Sequence, residues 1–296
     1  MTQTLHYRLH EVAGYINWLY FFHAWGFPAR FSAIAQIHGC DSCRASWLAS
    51  FPVGERAKAA EAMQLHKEAL RMLRQLDSKG WQTHVRFGLF ACNSYGDDIR
   101  FEDVPATLSF LRQQRPPYLC LSDFIRPADA SGTTDRIGIF AACADEAIEH
   151  SYKDEDAYHH LLCQTLAERL AEAALERAHQ AIRRFYWGYA PDEQLSVADL
   201  HGERFQGIRP AVGYPSLPDQ SLNFDLDRLI DFASIGIRLT EHGAMLPHAS
   251  VSGIMVAHPE ARYFAVGKIG EDQLCDYARR KGRTPEEMRP FLAANL

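Results

Sequence analysis

The sequence predicts an α+β fold. Two long stretches, about 54–77 and 154–186, carry apolar residues at helical spacing. Short strand-like runs stand at 85–91, 99–101 and 137–143. These strands do not alternate with helices as a doubly wound parallel sheet requires. No Gly-x-Gly-x-x-Gly turn or phosphate loop accompanies them. The 296 residues suffice for one large domain or two, and no repeat, charge block or low-complexity linker divides them.

The elements follow in order. Residues 10–27 read as a helix crowded with aromatic side chains, among them Tyr15, Trp18, Phe21, Phe22 and Trp25, and Gly26-Phe27-Pro28 ends it. Ala59, Met63, Leu65, His66, Leu70, Leu73 and Leu76 stripe a helix over 54–77, closed by Lys79-Gly80. Residues 85–91 form a strand, and Gly96-Asp97-Asp98 turns into another at 99–101. Residues 118–124 and 137–143 are buried-strand candidates, the second bounded by Ser131-Gly132 and Asp145. The longest helix, 154–186, carries Leu162, Leu166, Leu170, Ala173 and Ala174 on its apolar stripe, with Glu168, Arg169, Glu172, Glu176 and Arg177 among its polar positions. A short helix covers 226–234. Residues 251–256 and 261–269 read as a hairpin about His258-Pro259-Glu260. Two helices close the chain, 271–281 and 285–292, with Pro285 just inside the start of the second.

An apolar fraction of 47% and a charged fraction of 23% are those of a soluble globular protein. A formal net charge of −6 argues against a general nucleic-acid binder. No apolar run approaches the ~20 residues that span a bilayer. The N-terminus lacks a signal-peptide pattern, so the expected location is cytoplasmic. Seven scattered cysteines are not a disulfide framework. Cys40-Asp41-Ser42-Cys43, with His38 just before, is the one pair with metal or redox spacing. A closed zinc site wants about four donors, and a thioredoxin-like site wants a preceding strand and a following helix. Local packing is the expected role of the pair, and no metal site is expected.

The most informative segment is 183–219. Tyr186, Trp187 and Tyr189 crowd around Gly188 in a YWGYAP run, and QGIRPAVGYP follows at 206–215. Proline removes a backbone donor and glycine admits unusual conformations. Alternating them builds a rigid, non-repetitive loop with open backbone groups. Arg209 within it can fork a carboxylate. A plain surface turn is the alternative.

These runs, with YLCLSDF at 118–124, AERLAEA at 167–173, ASVSG at 249–253 and DYARRKG at 276–282, resemble the S-adenosylmethionine-binding activation (reactivation) domain of cobalamin-dependent methionine synthase. The resemblance implies a single C-shaped domain over 1–296, with a twisted, largely antiparallel sheet and flanking helices. Its helical N-terminal part would reach about residue 80, with the sheet and cofactor loop over 81–296. It further implies a stand-alone protein that binds S-adenosylmethionine and supports reductive methylation of cob(II)alamin. Cobalamin would come only through a partner, the cobalamin-binding modules of methionine synthase, and the electron from a flavodoxin-like donor. Carried over residue by residue, the cofactor would meet Arg209, Ala211, Gly213, Ser216, Tyr263 and Phe264. Glu172 and Glu203 would lie near the sulfonium, and Tyr214 would approach the corrin. For Glu172 a solvated helix face is the alternative.

The chain departs from the family pattern near its start. Tyr15-Ile16-Asn17-Trp18 places Asn17 where the family has an aspartate that pairs with the cofactor's ammonium. A neutral hydrogen bond is roughly half as strong as a charge-assisted one. Tyr20 replaces a proline, and Leu217-Pro218 replaces a Cys-Pro. Asp199-Leu200-His201-Gly202 is not the cobalamin-ligand motif, because Arg204 stands where that motif has glycine. The rival readings are a corrinoid-protein or small-ligand binding module without S-adenosylmethionine, an activator of another corrinoid methyltransferase, and a Cys-x-x-Cys redox enzyme.

Overall fold

The computed structural model describes residues 2–129, 132–154 and 156–296; the Ser131 boundary lies outside them. A six-stranded antiparallel sheet curls through the middle of one α+β domain. The chain begins with β1 (Thr2–Arg8), then the short helices α1 (Leu9–Val12) and α2 (Trp18–Ala24), α3 (Asp41–Ala49) and the long α4 (Arg56–Ser78). The hub strand β2 (Gln82–Tyr95) is followed by β3 (Asp98–Phe101), β4 (Thr107–Ser109) and β5 (Asp135–Ala144). Helices α5 (Glu146–His150), α6 (Ala157–Ala181), α7 (Val197–His201) and α8 (Leu222–Ile230) come next. A small pair, β6 (Arg238–Leu239) and β7 (Met245–Leu246), precedes β8 (Ser250–Met255), α9 (Glu271–Arg280) and α10 (Pro285–Leu292). The sheet order is β4-β3-β2-β5-β8, with β1 also on β2.

Strand β5 shows why the sheet sits centrally. Its near-continuous apolar run is buried on both faces. Phe140, Ala142 and Ala144 join one core with α4, α6 and the N-terminal helices. Ile137, Ile139, Ala141 and Cys143 join a second core with α8 and the segments after β3. That split is the two-residue period of a strand. Two helix starts carry explicit caps: Asp156 accepts the His159 N–H at the start of α6, and Thr284 and Glu287 cap each other's backbone at α10.

Four expectations are corrected. The single helix over 10–27 is broken, because the chain turns through Ala13–Tyr15 and restarts with Asn17 as N-cap of α2. Residues 118–124 are not a strand. Tyr118 has φ +60°, Asp123 caps the Cys120 N–H at 2.8 Å, and Leu121–Phe124 coil into a 3₁₀ turn. Residues 261–269 do not pair with β8, which pairs with β5 instead. Their polar groups bind the loop and the C-terminus: Phe264 N to Ser216 Oγ (3.1 Å), Val266 N to Pro215 O (2.9 Å), Ile269 N to Asn295 O (2.9 Å). The α-helix of the longest segment stops at Ala181 and continues as a π-turn over Ile182–Tyr186. Strand β1 and helix α3 were not anticipated. Among the described residues, no helix is long and apolar enough to cross a membrane.

Candidate functional site

Residues 208–212 lie along the free edge of β8 like an irregular extra strand. Ile208 and Val256 exchange both backbone hydrogen bonds (2.9 and 3.0 Å), Ile254 N donates to Pro210 O (3.1 Å), and Val212 N donates to Ser252 O (2.9 Å). Alternate residues of a strand bond to opposite neighbours. Residues 208, 210 and 212 therefore face β8, and the backbones of Arg209 and Ala211 face away from it. Arg209 N donates to Tyr263 Oη (3.0 Å), and Ala211 O accepts from Tyr214 N (3.3 Å). The Ala211 N–H keeps no partner among the described residues, and Ala211 lines a cavity.

Two glycines permit this approach. A Cβ on Gly253 would stand 2.2 Å from Pro210 O and 2.9 Å from Ala211 Cα. Gly207 has φ +85°, and a Cβ there would meet Val256 O at 2.2 Å. Both contacts fall far inside van der Waals distance, so any larger residue would displace the loop.

The cavity has a volume of about 540 Å³, within the ~300–1,000 Å³ of small-molecule sites. Its walls come from α6, loop 208–216, the segment at 263–264, and Tyr15, Asn17 and Tyr20 opposite. Every residue expected from the sequence to meet the cofactor or the corrin lines it except Gly213. Gly213 has φ +87° and donates its N–H to Leu217 O (2.8 Å), so it shapes the turn beside the wall. Ser216 is a wall residue whose hydroxyl is already taken: Oγ donates to Phe264 O and accepts from Phe264 N. Asn17 uses Oδ1 to cap α2, accepting from Leu19 N at 3.2 Å. Tyr214 stands at the rim, 56% exposed, with Tyr20 equally so.

These features coincide with comparisons to known proteins. The family model for the vitamin B12 dependent methionine synthase activation domain matches residues 8–282. The chain belongs to that family. A solved structure described as the MetH reactivation domain bound to AdoHcy is 34% identical to it. The match covers 100% of this chain and 90% of that one, with a TM-score of 0.86.

In this activation domain the charged wall is one helical stripe. Arg169, Glu172, Glu176 and His179 recur on α6 at intervals of three and four, so they share a face, and Arg183 follows four residues on in the π-turn. Arg209 reaches into that stripe. Its Nη2 donates to Glu176 Oε2 (2.9 Å) and its Nη1 to His179 Nδ1 (3.0 Å). Burial opposes the charge on Arg209, but Glu176 more than offsets this and its pKa is raised. A guanidinium has five N–H donors, so Arg209 retains donors for a ligand. His179 also accepts from Arg183 Nη1 (2.7 Å). Burial, then Arg209 and Arg183, drive its pKa well below the usual histidine range. The neutral ring therefore carries its proton on Nε2, which has no hydrogen-bond partner among the described residues, and the ring lies edge-on to Phe205 at 5.0 Å between centroids.

The carboxylates differ in their partners. Glu172 receives Arg169 Nη1 at 2.9 Å, yet burial raises its pKa against the pull of Arg169 and Arg209. Burial likewise raises Glu203, opposed by Arg209. Glu203 sits at φ +54°, an uncommon conformation for a residue with a side chain. Glu176 Oε1 is buried, on the wall and without a partner among the described residues, a ready acceptor for a donor inside the cavity. The fully buried Arg183 makes a two-pronged pair with Glu193 (2.7 and 2.8 Å) and stacks on Phe205, its guanidinium carbon 4.1 Å from the ring centroid. That pair anchors the YWGYAP run to α6.

The sequence reading assigned no site role to Glu176, His179 or Arg183. The available signal was three polar residues in register with Arg169 and Glu172. On a helix read for its apolar stripe, that signal passes as a solvated face.

Proposed function

We propose that this activation domain binds S-adenosylmethionine in the 540 Å³ cavity and presents its methyl group to a cobalamin held by a methionine synthase module. The wall's charge balance carries the reading. Glu172, Glu176 and Glu203 face Arg169 and Arg209 across one pocket, an excess of one acidic group. A sulfonium ligand whose carboxylate and ammonium cancel brings one positive charge. Arg209 would take the carboxylate, and Glu176 Oε1 and Asn17 would face the ammonium. Ala211 N–H and the Tyr263-Phe264 pair would meet the adenine. The AdoHcy bound to the similar reactivation domain, the demethylated form of this ligand, supports a ligand of this class.

The chain's contribution is positioning and electrostatics. A corrinoid held by the partner would supply the nucleophile for the methyl group, with S-adenosylhomocysteine as the other product and a flavodoxin-like donor as the source of the electron. Methyl transfer releases no proton, so the wall needs no general base. The exposed Tyr20 and Tyr214 at the mouth would meet the flat macrocycle and shed water from the methyl.

The test is reactivation of a cob(II)alamin methionine synthase lacking this domain, with S-adenosylmethionine and a reductant, with and without the protein. Restored turnover that Arg209→Ala abolishes is the expected result. Turnover unaffected by the protein, or an active Arg209→Ala variant, would overturn the proposal. A second reading follows from Asn17: a module that binds a corrinoid protein or a different small ligand. Calorimetry separates the two, because that reading predicts no heat at millimolar S-adenosylmethionine.

A further inference from the structure

Away from the cavity, the two cysteines at the start of α3 form a cluster the proposed function does not use. Cys40 is the N-cap of this nine-residue helix. Its Sγ lies 2.8 Å from Cys43 Sγ and accepts the Cys43 N–H at 3.2 Å. One donor atom each from His38, Cys40 and Cys43 lies within 4.8 Å of the others. Both residues are partly exposed, whereas Cys92, Cys120, Cys143 and Cys163 are buried.

We propose that Cys40 and Cys43 form a thiol–disulfide exchange site, with Cys40 attacking and Cys43 resolving, that acts on small disulfides of the glutathione type. The reactive species in such exchange is the thiolate. Three groups favour it at Cys40: the neighbouring Cys43 thiol, the backbone N–H of Cys43 at the positive end of α3, and His38. Hydrogen bonding from Cys43, then from His38, lowers the Cys40 pKa to about 7, and the same bond raises that of Cys43. That asymmetry assigns the two roles. Asp41 and Arg44 are the remaining charged groups on this turn, paired with each other at 3.7 Å. The four buried thiols carry pKa values pushed up by burial and are inert by comparison.

The step balances. The Cys40 thiolate attacks one sulfur of the disulfide, forming a mixed disulfide and releasing one thiolate. Cys43 then gives up its proton and attacks Cys40 Sγ, releasing the second. The protein dithiol is oxidised to a disulfide and the small disulfide is reduced to two thiols. A closed zinc site is the less suited alternative. It wants about four donors, and sulfurs at ~2.3 Å from a tetrahedral metal stand roughly 3.7 Å apart, wider than the contact here.

The test uses the full-length protein with oxidised glutathione, acid quenching, and peptide mass spectrometry after alkylation. Wild type is expected to form a Cys40–Cys43 disulfide, and Cys43→Ser to accumulate glutathione on Cys40. Iodoacetamide should modify Cys40 of the wild-type protein at least tenfold faster than the exposed Cys275 at pH 7, with half-maximal rate near that pH. This readout needs no variant to fold. Equal rates at Cys40 and Cys275, or no glutathione on Cys40 in Cys43→Ser, would overturn the proposal. So would zinc retained stoichiometrically by the purified protein with both thiols shielded.

Discussion

Removing Arg209 tests two roles at once, and a double-mutant cycle with Glu176 separates them. The pair is mostly buried, with side chains 16% and 11% exposed and Nη2–Oε2 at 2.9 Å. Arg209→Ala leaves the Glu176 carboxylate without its cation, and the neutral His179 cannot replace it. Breaking one side of a buried pair costs about 3–5 kcal/mol. In a domain this large that lowers Tm by about 6–10 °C. Glu176→Ala strands the guanidinium and loses one charge-assisted bond, about 1.5–3 kcal/mol. The double variant leaves neither charge orphaned, so it should be more stable than the two losses added, by about 2–3 kcal/mol. S-adenosylmethionine affinity should not recover with it, because the carboxylate fork is still missing. Losing that fork corresponds to roughly 10–100-fold weaker binding. Urea denaturation measures the first quantity and calorimetry the second. Coupling below about 0.5 kcal/mol would refute the structural role of the pair. Unchanged affinity in Arg209→Ala would remove that residue from ligand binding.

Three further outcomes follow. Gly253→Ala should weaken S-adenosylmethionine binding at least tenfold in calorimetry, because its Cβ would sit 2.2 Å from Pro210 O and push residues 208–212 off β8. Asn17→Asp should keep the α2 cap, since both residues cap well, and tighten binding about five- to tenfold by making the ammonium contact charge-assisted; an unchanged Kd would place Asn17 away from the ammonium. His66 stacks edge-on against Trp18 at 4.5 Å, and burial, then Arg44, lowers its pKa to about 4. Its folded value lies below the unfolded value of about 6.5, so the unfolded state binds more protons between them and stability falls as pH drops. From pH 7 to 4.5 this costs about 2–3 kcal/mol, and His66→Gln should flatten that part of the urea-midpoint profile. An unchanged profile would show that His66 is not the group responsible.

Legibility in the sequence followed the range of the interactions. Helices α4, α9 and α10 and strands β2, β3 and β5 were readable, because local spacing and capping residues report which face is buried. Residues 261–269 look like a strand because Tyr263, Phe264, Val266 and Ile269 are strand-prone residue types. Their hydrogen bonds, however, go to Ser216, Pro215 and Asn295 rather than to β8. Periodicity carries no information about which neighbour accepts a bond. The 10–27 helix failed for a related reason: apolar density hid the break at Asn17, where a side-chain cap restarts the chain.

By itself the sequence determined the α+β class, the family, and the residues of loop 206–215, since proline, glycine and an arginine in fixed order act locally on the backbone. Only the tertiary structure decided what those residues face. It laid residues 208–212 against β8 so that the Ala211 N–H, without a partner among the described residues, faces away from that strand. It tied Arg209 to Glu176 and His179, more than 29 residues earlier in the chain. It also set two cysteines on the N-terminus of a helix the sequence had not announced. Packing brings distant groups within hydrogen-bond reach, and burial then fixes their charge states, which no one-dimensional pattern encodes.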